Sequence, residues 1–162
     1  MKVLITYASA GAGHRRAAEA IYNYLKENSP GLDLILLDAL DKTNVLFKLD
    51  YTKGYSFLVR YGVVLWHWAF WATEFKLWRP VSRAIARLIN YINSQKLIRY
   101  FIQENFDVII STHFLASELA CGLKKRNKIN SKLITVITDY GVHPFWISPG
   151  TDLYVAASDF TK

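Results

Sequence analysis

Cysteine is almost absent from this sequence: Cys121 is the single one in 162 residues, so no internal disulfide can form and a reducing compartment suits the chain. Its neighbours Leu119, Ala120 and Leu123 give it the setting of buried filler. A leader segment is not evident, because Met1 and Lys2 run straight into Val3–Ile5, too short an apolar stretch for the core of a signal peptide. No stretch reaches the roughly 18 apolar residues that a membrane-spanning helix needs. The nearest, Tyr61–Ala72, has twelve residues with His67 inside it, too few to span a bilayer but enough to lie on one. Acidic residues are the scarcer charge, 13 Asp and Glu against 20 Lys and Arg. The resulting +7 predicts an anionic partner: a membrane surface, a nucleic acid or a phosphate-bearing ligand. Internal repeats and low-complexity linkers are also missing. What is plentiful is apolar side chain, 52% of the residues, which excludes a disordered chain and is enough for one domain with a proper core.

Short apolar runs predict strands at Lys2–Tyr7, Asp33–Asp38, Asp107–Thr112, Lys132–Thr138 and Leu153–Ala157. Most are near-continuous in Val, Ile and Leu, as in a parallel sheet covered on both faces. Helical spacing of Ala17, Ala18, Ile21 and Leu25 predicts a helix over His14–Asn28, stopped by Pro30-Gly31. Ala116–Arg126 reads as another, with a basic end that suits the helix dipole. Strands alternating with helices predict an α/β, Rossmann-like, doubly wound and mainly parallel sheet.

From about Val45 to Asn105 this rhythm stops and no strand is predicted. Ser82–Asn93 and Ser94–Glu104 read as helices, as does Tyr51–Ala72 with a break possible at Gly62, and Pro80 marks a boundary. The segment carries nine Lys or Arg against three Asp or Glu, so +6 of the +7 lies here, with 14 of the 24 aromatic residues. Arg79, Arg83 and Arg87 recur at a spacing that puts them on one helical face, while Trp66, Trp68, Trp71 and Phe75 supply the apolar side of a neighbouring segment. Trp rings favour the membrane interface and arginines reach anionic headgroups, so the segment reads as a helical insertion facing an anionic phospholipid membrane. Core packing with a solvated charged face is the plainer alternative. A nucleic-acid surface is disfavoured, because the Trp-rich run is too apolar for a solvated groove.

The first predicted strand ends at Tyr7 and runs into Ser9-Ala10-Gly11-Ala12-Gly13-His14, at the carboxyl edge where open α/β sheets bind ligands. Three readings are open. The loop is a tight turn without a ligand; or a dinucleotide site with Asp38 as ribose-binding acid, although Arg16 stands where the third glycine belongs; or His14 is functional. The positive end of a helix dipole disfavours an imidazolium there, leaving a neutral ring fit for a general base.

Ser9-x-Gly11-x-Gly13-His14 with Ala17 and Ala18 resembles the opening motif of the monogalactosyldiacylglycerol synthases and the processive diacylglycerol glucosyltransferases. Thr138-Asp139-Tyr140-x-x-His143-Pro144-x-Trp146, then Asp152-x-Tyr154-Val155, is similar to a second block of that family, and Asp107–His113 to a third. Phe114 departs from the pattern, which expects proline. The resemblance covers essentially the whole chain, more weakly through the middle. It implies the N-terminal, acceptor-binding half of a two-domain GT-B glycosyltransferase. The C-terminal domain, which binds the UDP-sugar co-substrate, would be absent, and the chain, as a fragment of a longer gene product, would not turn over alone. The complete enzyme would transfer galactose or glucose to the free hydroxyl of diacylglycerol with inversion, from a peripheral position on the cytoplasmic face of the membrane. His14 matches the family's base. Ser9, Gly11, Gly13, His113, Asp139, His143 and Trp146 would shape the acceptor site, and neither a cofactor nor a catalytic metal is expected. A non-catalytic lipid-binding module and a nucleotide-binding oxidoreductase fragment are the rival functions.

Overall fold

The computed structural model describes residues 1–54, 79–140 and 144–156, with residues 53, 54, 79, 80, 82 and 83 in backbone only. Five strands form one sheet: β1 (Lys2–Tyr7), β2 (Asp33–Asp38), β3 (Val108–Ser111), β4 (Lys132–Ile137) and β5 (Leu153–Ala156). Their order is β2-β1-β3-β4-β5 and every pair is parallel. The helices are α1 (Ala12–Asn28), α2 (Val45–Leu49), α3 (Arg79–Asn93), α4 (Gln95–Glu104) and α5 (Phe114–Lys125). Short 3-10 turns occur at Ala39–Lys42 and Pro144–Trp146, and a π turn at Asp50–Gly54.

The continuous apolar runs of the strands follow from burial on both faces. On β1, Val3 and Ile5 turn to one side, where they pack with Ala18 of α1 and Ile110 of β3. Leu4 turns to the other and joins Leu97 and Phe101 of α4, Leu115 and Leu119 of α5, and Ile109 and Leu133 of the sheet. This is the Rossmann-like doubly wound arrangement. Cys121 is buried filler in the second layer, and burial pushes its thiol pKa up. Gly150 has a positive φ of 129°, and a Cβ there would lie 3.5 Å from Cys121 Sγ.

The chain passes from β1 outward to β2 and then returns across β1 to β3. The strand order therefore reverses between β1 and β3, and the crevice beyond their carboxyl ends is where such sheets bind ligands. Asp38, at the end of β2, accepts from the backbone N–H groups of Leu40 (3.0 Å) and Ser9 (3.3 Å), so it holds the glycine loop beside the sheet.

α3 is built inside out. Its Asn90 is buried, and Arg87 (Nε–Oε1 3.1 Å) and Asn90 (Nδ2–Oε2 2.9 Å) both donate to Glu118 of α5. Val81, Ile85, Leu88 and Ile92 lie on the opposite face and are 48%, 54%, 59% and 60% exposed. The expected basic stripe thus gives way, at Arg87, to an ion pair within the domain, and the outward face is apolar. Arg79 and Arg83 are described in backbone only, and Trp66, Trp68 and Trp71 lie outside the described residues. No described helix is long and apolar enough to cross a membrane.

Candidate active site

His14 is the third residue of α1, which begins two residues earlier than its apolar spacing predicts. Gly11 is the N-cap in an extended conformation (φ −165°) and offers no capping side chain. A Cβ at Gly13 would meet nothing within 4 Å, so neither packing nor a positive φ within this chain calls for the glycines. The ring of His14 is anchored from β3 and β4. Its Nδ1 lies 2.9 Å from the carbonyl oxygen of Thr112, just past β3, and 2.6 Å from the hydroxyl of Thr138, just past β4. The Thr112 hydroxyl donates to the His14 carbonyl at 2.8 Å, so one threonine ties both ends of the residue.

A carbonyl oxygen only accepts, so the bond to Thr112 places the proton on Nδ1 and leaves the lone pair on Nε2. Burial lowers the pKa of His14 from its ordinary 6.5, partly offset by the negative charge of Asp139 and the bond to Thr112. Burial thus favours the neutral ring.

His113 lies across from it, with ring centroids 4.8 Å apart and the planes nearly perpendicular. It is 3% exposed and caps α5: its Nδ1 accepts from Leu115 N–H at 3.2 Å, which places its own proton on Nε2. Burial, then the nearness of His14, hold its pKa well below 6.5.

Trp146 closes the back of the pair. It is fully buried, with centroid distances of 6.1 Å to His14 and 6.4 Å to His113. Its Nε1 donates to Asp139 at 2.7 Å. Asp139 therefore orients the indole, and Trp146 is a buried wall of the site. Phe114, in the place where proline was expected, stacks on His113 at 4.2 Å, and Tyr51 meets it edge-on at 5.8 Å.

The structure thus brings together His14, His113, Asp139 and Trp146, and sets Ser9, Gly11 and Gly13 on the adjoining loop. His143 lies outside the described residues. Sequence reading passed over Thr112, Thr138 and Tyr51 as site residues. The first two carried a signal, as polar residues closing apolar strands at the ligand edge; Tyr51 carried none. Asp38 spends one carboxylate oxygen, Oδ1, on the loop, and Arg16, in the place of the third glycine of a dinucleotide site, is exposed. Among the described residues no three His, Cys, Asp or Glu side chains converge on a metal-binding point.

Fold and site define a Rossmann-like α/β domain with an anchored neutral histidine at its switch point. The chain belongs to the monogalactosyldiacylglycerol (MGDG) synthase family, whose model matches residues 14–162. It is 27% identical over 162 residues to processive diacylglycerol beta-glucosyltransferases of Staphylococcus aureus, including those of strains JH9 and Newman. The match takes in 99% of this chain and 39% of each relative, so the chain spans about two fifths of their length. No solved structure matches.

Proposed function

We propose that this chain is the acceptor-side domain of a membrane-associated enzyme that transfers a hexosyl unit from a UDP-sugar to the free hydroxyl of diacylglycerol. The observation that carries this reading is the His14–Thr112 contact at the switch point, which leaves Nε2 of a neutral imidazole as the base. An alcohol is a poor nucleophile until its proton is drawn off, and a positioned base contributes roughly 10²–10⁴-fold. The acceptor oxygen attacks the anomeric carbon as Nε2 takes its proton. The bond to UDP breaks on the opposite side, which inverts that carbon. The imidazolium so formed is stabilised by Asp139 and by the Thr112 carbonyl, both of which favour the protonated ring. His113 and Trp146 exclude water behind it.

The relatives are named for glucosyl transfer to diacylglycerol, a substrate dissolved in the bilayer, and the family membership supports the same acceptor class here. The donor site belongs, in this reading, to a second domain beyond this chain. The outward apolar face of α3 is the part of the described structure suited to lie in an anionic membrane surface. The test is turnover by the full-length protein with UDP-glucose or UDP-galactose and diacylglycerol, read by mass spectrometry of the glycolipid. His14→Ala is expected to lower kcat by at least about 10²-fold with folding preserved. A variant with near-normal kcat removes His14 from the mechanism. The isolated chain is expected not to bind UDP-sugar, and micromolar binding by calorimetry would overturn the domain assignment.

A further inference from the structure

Beside the histidine pair lies a cavity of about 170 Å³ between α3, the start of α5, the turn at Pro144–Trp146 and Tyr51. It shares Tyr51 and Phe114 with the surroundings of His113, which in turn meets His14. At ~30 Å³ per water it holds the volume of about six waters, room for the polar part of a lipid and its first methylenes.

The wall of the cavity offers several hydrogen-bond donors. Arg87 and Asn90 each use one N–H on Glu118 and have others to spare. Both oxygens of Glu118 are thereby engaged. The Tyr51 hydroxyl has no hydrogen-bond partner among the described residues, and burial, then the charge of Glu118, raise its pKa, so it stays an O–H donor. The Ser148 carbonyl already accepts from Tyr154 O–H at 3.1 Å. Net charge is small, because Glu118 offsets Arg87. An anionic headgroup would gain little from Arg87 with a carboxylate 3.1 Å away. A sugar's hydroxyls would find few acceptors on the wall: the Asn90 amide oxygen, the Ser148 hydroxyl and a Glu118 carboxylate that already takes two donors. An ester carbonyl brings acceptors only and no charge, and its neighbouring methylenes suit Phe114 and Phe145.

We infer that this cavity receives the ester-carbonyl region of a neutral diacyl lipid, with Tyr51 and Arg87 as the donors that read the ester. The inference rests on the acceptor proposed above and adds a specificity: ester-linked over ether-linked glycerolipid.

The experiment measures binding of dioctanoylglycerol and of its dioctyl-ether counterpart to this chain in non-ionic detergent micelles, by tryptophan fluorescence and histidine-labelled NMR. The diester is expected to bind about tenfold more tightly. Tyr51→Phe with Arg87→Met should bring the diester down to the level of the diether and leave the diether unchanged. Ala86→Leu, on the cavity wall, should weaken both lipids by filling the space. Circular dichroism establishes that each variant is folded. Equal binding of the two lipids by the wild-type chain, no binding of either, or equal loss of both in the Tyr51/Arg87 variant overturns the inference. Glycolipid synthesis by the full-length protein without ester preference would sink this inference alone. Ester preference without turnover would sink the catalytic reading and leave the cavity.

Discussion

His14 and Thr138, 124 residues apart in sequence, meet at 2.6 Å between Nδ1 and hydroxyl oxygen, on a ring whose Nδ1 proton is already claimed by the Thr112 carbonyl. With the proton on Nδ1, the Thr138 oxygen is a second acceptor. The Thr112 carbonyl selects the tautomer, and the two threonines together fix the plane of the imidazole.

That arrangement predicts the tautomer directly. Nitrogen chemical shifts of labelled His14 at pH 7.5 should show Nδ1 protonated and Nε2 bare. Thr138→Val keeps the shape and removes one acceptor, and the Nδ1 tautomer should persist through Thr112. A protonated Nε2 in the wild-type chain would contradict the assignment of that nitrogen as base.

Both histidines should also make stability depend on pH. Their pKa values are lowered by burial, so below 6.5 the unfolded chain binds protons that the folded one does not. Their stabilisation is full above 6.5 and is lost as pH falls from there toward their folded values. The melting temperature should drop between pH 7 and 5, before most carboxylates titrate. His113→Asn retains a side chain able to cap Leu115 and should flatten that drop. An unchanged slope in this variant would mean that His113 does not titrate with unfolding.

Trp146 is expected to be the costliest wall residue to shorten. Trp146→Phe leaves Asp139 without its indole partner and should cost about 1.5–3 kcal/mol, as for hydrogen bonds to charged groups. Trp146→Ala adds a cavity and should cost about 3–5 kcal/mol. Denaturant melts decide this, and a loss under about 0.5 kcal/mol in both variants would show that the indole is not packed as described.

Vesicle sedimentation tests the membrane face. The isolated chain should bind anionic vesicles and bind neutral ones more weakly, with the electrostatic part fading toward 1 M salt as the Debye length shrinks to roughly 3 Å. Changing Val81, Ile85, Leu88 and Ile92 together to Ser should reduce binding to both vesicle types by roughly tenfold or more. Changing Arg79 and Arg83 to Ser should weaken the anionic case alone. If the folded wild-type chain stays in the supernatant with anionic vesicles at low salt, the outward face of α3 meets another protein surface instead.

The strands were legible almost to the residue, because runs such as Val3–Ile5 and Val108–Ile110 read the same whichever face each side chain takes. Helix starts were not. α1 begins at Ala12 behind an extended Gly11 with no capping side chain, so the usual Ser, Thr, Asp or Asn marker is missing. α5 begins at Phe114 because His113 serves as the cap, a role that residue type does not announce. His14 could be picked out from its glycine loop at a strand end; its partners could not, since Thr112 and Thr138 reach it only when β1, β3 and β4 are laid side by side.

The sequence alone determined an α/β domain with parallel strands, a histidine at the ligand edge and a helix with arginines along one side, since each follows from local period and composition. Which side of that helix faces inward was decided by the fold. Glu118 of α5, 31 residues from Arg87, draws Arg87 and Asn90 to itself and turns Val81, Ile85, Leu88 and Ile92 outward. Periodicity defines the two faces of a helix, but only a partner distant in the chain selects the one that is buried.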